Sequence, residues 1–97
     1  EAIVCSTDQE ALVLLDLLAE RRIRVPEDVI VTGFDGILAG ILARPSLTTM
    51  RQPMEEIGRT AVRLLIRALD GGGGPEHRAL EAQLMIGESC GCRGRLS

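Results

Sequence analysis

Aromatic side chains are almost absent. Phe34 stands alone among 97 residues, with no Trp and no Tyr. The chain therefore lacks a platform on which bases or sugar rings could stack, which disfavours a single-stranded nucleic-acid binder. An excess of positive charge is missing too. Eleven basic and fourteen acidic residues give a formal net charge of −3, and the signs are interspersed, so no basic face advertises contact with DNA. No apolar run approaches the roughly 18 residues of a membrane span. The opening "EAIVCSTDQE" lacks the basic-then-apolar plan of a signal peptide. It starts inside what reads as a strand, without an initiator Met, as a piece of a longer chain would.

Catalytic signatures are missing as well. There is no G-x-S-x-G elbow, no H-E-x-x-H and no Cys-His pair with obvious geometry. "GGGGPEH", residues 71–77, lacks the Gly-Lys-Ser/Thr of a phosphate loop and reads as a flexible connection. His77 has no partner in sequence and reads as a solvated loop residue. A lone Asp and an isolated Gln do not make an acid/base pair. The expectation is a protein that is not an enzyme and needs no cofactor. Of three cysteines, Cys5 sits in an apolar run and is expected to be a buried free thiol. Cys90 and Cys92 form one C-G-C, weak evidence for a metal site, and residues 93–97 read as a frayed tail.

What is present is a core-building chain, 45% hydrophobic, long enough for one small domain whose independent stability would be marginal. "AIVC" fits a buried parallel strand. Thr7 to Glu10 has the T-x-x-E form of a capping box, with Glu10 expected to return a hydrogen bond to the N-cap backbone. The helix it opens is predicted over residues 8–22, with Arg21 and Arg22 at its C-terminal dipole end. Ala11, Leu14, Leu15 and Leu18 form one stripe, and Leu12, Val13 and Leu17 widen it beyond a single packing face. Pro26 sits in a connection. "VIVTGF" predicts a strand buried on both faces, broken by Asp35-Gly36. "ILAGILA" is a short helical or irregular apolar segment, and "SLTTMRQ" a third strand. Pro53 at a first helical position opens another helix, with Glu55 and Glu56 near its start and Glu55 four residues before Arg59. Met54, Ile57, Ala61, Leu64, Leu65, Ala68 and Leu69 line its apolar face, and it stops at Asp70-Gly71. One or two final strands lie in "ALEAQLMIGESC". This alternation predicts an α/β fold with a parallel, Rossmann-like sheet.

Open parallel sheets bind ligands outside the carboxyl ends of their strands, and right-handed crossovers bring those ends to one edge. Ser6, Thr7 and Asp8 follow the first strand, Asp35 the second, and Arg51 and Gln52 the third. Donors and a carboxylate converging there could hydrogen-bond a hydroxyl-rich or heterocyclic ligand. Each residue also has a plain structural reading. Thr7 caps its helix, Asp35 turns the chain with Gly36, and Gln52 satisfies backbone groups before Pro53. Spacing alone does not choose between them.

The succession "AIVCSTDQEAL", "RVPEDVIVTGFDG", "PSLTTMRQPMEEIGRTAVRLLIRALDG" and "ESC" resembles the C-terminal part of the LacI/GalR family of bacterial transcriptional regulators, over residues 2 to about 92. The resemblance implies the C-terminal subdomain of a type I periplasmic-binding-protein fold, truncated. The helix-turn-helix headpiece, the N-terminal subdomain and this subdomain's first strand-helix unit would lie outside the chain. The implied protein is a cytoplasmic regulator with no membrane contact. It binds a sugar or related metabolite in an inter-subdomain cleft, binds operator DNA through the headpiece and acts as a homodimer. By motif, Asp35 of G-[FY]-D is implied as an effector contact, Gln52 as a pocket residue, and Thr7 as a contact standing where Asn is usual. Gly36 also replaces a frequent Asp or Asn, so the effector need not be a common one. Leu12, Val13, Ile37, Leu38, Ile41 and Leu42 are expected at a two-fold dimer interface, or else packed within the subdomain. A sugar-binding protein of a transport system, with a similar fold, is the second expectation.

Overall fold

The computed structural model describes residues 1–72 and 74–92. The predicted tail at 93–97, and Gly73 of the predicted connection, lie outside them. The element order is β1 (Ala2–Val4), α1 (Asp8–Glu20), β2 (Ile30–Thr32), α2 (Leu38–Leu42), β3 (Thr49–Arg51), α3 (Met54–Leu69) and β4 (Gln83–Met85). The alternation is as predicted. The chain divides into two compact units, residues 1–52 with the segment from Gln83 onward, and residues 53–82.

In the first unit β1 and β2 are parallel, with Ile3 opposite Val31. Beyond Thr32 the second strand continues alongside the third, through parallel bridges from Thr32 to Thr48 and from Asp35 to Arg51. β4 departs from the all-parallel expectation, because it runs antiparallel to β3, with Met50 opposite Leu84. Strand burial also falls short of prediction. β1 is exposed along its length, since it pairs on one side only, and Val4 is 80% exposed. In β2 only Val31 is fully buried.

The core is the predicted α1 stripe set on the sheet. Ala11, Leu15 and Leu18 pack with Val29, Val31 and Leu47, flanked by Cys5, Leu12, Leu14 and Val25. Cys5 is free but only partly buried. Desolvation, then the neighbouring Glu10 charge, pushes its thiol pKa up. α1 ends at Glu20, earlier than predicted. Arg22 turns left-handed at φ 58°, so Arg21 and Arg22 lie past the last turn.

A buried polar seam joins the final segment to the strands. The Ser89 hydroxyl donates to the Val31 carbonyl and accepts from the Thr48 amide, and the Gly87 amide donates to the Thr48 hydroxyl at 2.9 Å. Glu88 accepts from the Ser46 amide at 3.0 Å. Just beyond, Cys90 and Cys92 form a disulfide with Cα atoms 5.3 Å apart. Among the described residues no group of three or more His, Cys, Asp or Glu could hold a metal ion. No described helix is long and apolar enough to cross a membrane.

The second unit is α3 and the segment after it. Pro53 is its N-cap rather than its first helical residue, and Gly71, at φ 73°, follows its end as predicted. The predicted Glu55–Arg59 pair forms, and Arg67 meets Glu76 at 3.2 Å. No residue of α3 is buried.

Candidate functional site

The site is built where β2 runs out. Asp35 follows Phe34 with φ at 139°, a backbone region that L-residues rarely adopt and that persists only when neighbours over-determine it. The neighbours are on every side. The Asp35 amide donates to the Met50 carbonyl at 2.9 Å, and its carbonyl accepts from the Gln52 amide at 3.0 Å. The Gln52 side-chain amide then reaches back to Asp35 Oδ1 at 2.7 Å. Both side chains are partly buried. Two of the three predicted ligand residues are thus in direct contact. Gly36 turns the chain at φ 82°, where a Cβ would come within 2.7 Å of Arg51, so only glycine fits that turn.

Thr7 is the third predicted residue, and its capping role is real. Its hydroxyl oxygen accepts from the Glu10 amide at 3.2 Å, which uses a lone pair and not the O–H. Glu10 does not return the bond to the N-cap backbone. Its carboxylate instead accepts from the Ser6 hydroxyl at 2.9 Å. Thr7 is brought to the Asp35 loop by its neighbour, because the Asp8 amide donates to the Phe34 carbonyl at 3.0 Å.

Asp8 is the residue that sequence reasoning underrated. The sequence places it, with Ser6 and Thr7, among the polar groups at a helix start on the ligand-facing edge, yet it is fully buried. Its Oδ2 accepts from the amides of Gly36 at 2.8 Å and Ile37 at 2.9 Å, and its Oδ1 from the Thr49 hydroxyl at 2.6 Å. A hollow of about 390 Å³, lined partly by Val4, Phe34, Met50 and Leu84, lies beside this edge, but none of Thr7, Asp35 and Gln52 lines it.

Of the residues predicted for a dimer surface, Val13, Leu38, Ile41 and Leu42 are exposed, at 60%, 66%, 40% and 67%. Leu12 and Ile37 are half-buried. α1 and α2 are in contact, so these residues belong to neighbouring elements.

The periplasmic binding protein-like domain family matches residues 1–90. The HTH-type transcriptional repressor MelR of Bacillus subtilis (strain 168) is 37% identical over 98% of this chain and 28% of its own length. Among solved structures, the transcriptional regulator CelR in complex with cellobiose is 37% identical with a TM-score of 0.85, over 91% of this chain and 27% of that one. The lac repressor dimer bound to operator and an anti-inducer is 27% identical with a TM-score of 0.86, over 92% and 27%. The chain therefore spans less than a third of these relatives.

Proposed function

The chain belongs to the periplasmic binding protein-like family, in the form carried by LacI-type transcriptional regulators, and from that premise we propose that it is the effector-sensing and dimerising part of a DNA-binding regulator. Its ligand is a small sugar-like molecule, held in a cleft between two subdomains of which this chain supplies one wall. Operator DNA is bound through a headpiece outside the chain, in the bacterial cytoplasm. The protein acts by binding, not catalysis.

The observation that carries the reading is the Asp35–Gln52 pair. Gln52 occupies one lone pair of Oδ1, which orients the carboxylate and leaves Oδ2 to accept ligand hydroxyls. The Thr7 O–H adds a donor at the same edge. A hydroxyl-rich ligand fits this set, and the cellobiose bound by CelR supports that class. Val13, Leu38, Ile41 and Leu42, with Leu12 and Ile37 behind them, form the dimer surface, in keeping with the lac repressor dimer. Ligand binding biases closure of the two subdomains and so the spacing of the DNA-reading heads. The transport reading loses ground because the relatives described above are regulators.

The test is Asp35→Asn in the protein with its headpiece. Hydrogen bonds to charged groups contribute about 1.5–3 kcal/mol, so cellobiose affinity by calorimetry should fall about ten- to hundredfold while operator affinity stays within about twofold. Loss of operator binding, with effector affinity unchanged, would instead make Asp35 a structural residue and sink the reading.

A further inference from the structure

We propose that Asp8 is a positioning residue for the effector site: it touches no ligand, and it holds Asp35 in the backbone conformation that presents its carboxylate. The inference rests on the reading of Asp35 as an effector contact and deepens it.

Asp8 grips the chain on both sides of Asp35. Its amide holds the Phe34 carbonyl, immediately before Asp35, at 3.0 Å. Its carboxylate holds the Gly36 and Ile37 amides, immediately after, at 2.8 and 2.9 Å. Between these clamps the φ of Asp35 is 139°, so the cost of that conformation is met by contacts made elsewhere. The Thr49 hydroxyl at 2.6 Å fixes the other carboxylate oxygen, which sets the carboxylate plane. The room for this is made by glycine. A Cβ on Gly33 would overlap Asp8 Oδ1 and stand 3.2 Å from its Cα. Asp8 is fully buried, so its side chain cannot itself meet a ligand. Its oxygens are spent inside the fold.

The grip reaches further than Asp35. Ile37 is the N-cap of α2 and has no side-chain cap of its own. The Asp8 carboxylate takes up the Ile37 amide, one of the free donors where α2 begins. One buried carboxylate thus anchors both the loop that offers Asp35 and the start of the helix that carries Leu38, Ile41 and Leu42.

Two variants separate positioning from bulk stability. Asn at position 8 can face its carbonyl oxygen to the two amides and its amide to the Thr49 hydroxyl, which can accept as well as donate. Ala leaves two partly buried amides without their acceptor. In Asp8→Ala, hydrogen exchange of the peptide over residues 33–42 should quicken about tenfold or more, while a peptide from α1 beyond residue 11 keeps its protection. Asp8→Asn should restore the wild-type rate. Unchanged exchange in Asp8→Ala, or quickening equal in both peptides, overturns the proposal. If Asp8→Ala does not fold, Thr49→Val removes one clamp on the carboxylate and should quicken the same peptide alone.

Cellobiose titration supplies the functional arm. Asp8→Ala should weaken binding in the wild-type background and add nothing in the Asp35→Asn background, because it acts through Asp35. Additive losses overturn the positioning role. If Asp35→Asn itself leaves cellobiose binding untouched, the effector reading fails while the exchange result still decides whether Asp8 holds the loop.

Discussion

At Gly33 the packing leaves no room for even one methyl group. A Cβ there would stand 3.0 Å from the Leu47 side chain as well as overlapping the Asp8 carboxylate. Neither neighbour is free to yield, since Asp8 is bonded through both oxygens and Leu47 is a core residue. Gly33→Ala should therefore destabilise through overpacking, by about 1–3 kcal/mol, read as a lower urea midpoint. An unchanged midpoint would mean that the carboxylate can move at no cost. Asp35 was legible as a candidate because a carboxylate at the end of a buried apolar run is conspicuous in a short window. Gln52 was legible from its place before Pro53. The buried Asp8 was not. An Asp in a first helical turn has a sufficient local explanation in the helix dipole, and its true partners, Gly36, Ile37 and Thr49, lie 28, 29 and 41 residues away. Nothing in the stretch around Thr7 announces them.

Between α1 and β2 the chain is closed by one compact staple. Arg24 donates to Asp28 through its backbone amide at 2.8 Å and through its guanidinium at 2.8 and 3.1 Å. These bonds hold the Asp28 carboxyl well below the ordinary aspartate value, at about 2, with the side-chain hydrogen bond the largest cause. The sign follows from the direction. A carboxyl whose pKa is lowered by folding adds stability above its unfolded pKa of about 3.9, and that contribution fades as pH falls through about 2. The pair is exposed, so salt screens it and the stability effect is small. The sharper measurement is the Asp28 carboxyl titration by NMR. It should lie near 2 in the wild type and return to the ordinary range in Arg24→Gln, whereas a normal wild-type midpoint would mean the staple is open in solution. At this scale legibility tracked locality. The T-x-x-E start of α1 and its Ala11–Leu15–Leu18 stripe are written within one helix. The exposure of β1 and the antiparallel run of β4 depend on which strands lie alongside, and an apolar run carries no record of its neighbours.

For the molecule as a whole, the question is what covers the α1–α2 surface. Leu38 and Leu42 expose about two-thirds of their area and Val13 about as much, while the core beneath is already closed by Ala11, Leu15, Leu18 and Leu47. Fully burying such side chains stabilises by about 1.5–3 kcal/mol each, and monomeric proteins rarely leave apolar patches larger than a few hundred Å² in water. A two-fold partner is the cover consistent with the proposed regulator, and in an isologous interface one substitution acts twice. Leu38→Glu, whose side chain points away from the core, should leave the thermal midpoint of the folded subdomain nearly unchanged. It should also shift sedimentation of the protein toward monomer, raising the dimer dissociation constant at least tenfold, because two carboxylates would lose water in one isologous interface for no new partner. In the proposed regulator, operator affinity should fall with it, since paired reading heads gain from effective concentration. The proposed effector site should keep its affinity per subunit, since Asp35 is held by Asp8 and Gln52 rather than by the dimer. A dimer that survives Leu38→Glu undiminished would move the interface off α2, and a loss of effector binding alongside dimerisation would tie the proposed pocket to the partner more closely than the Asp8 clamp allows.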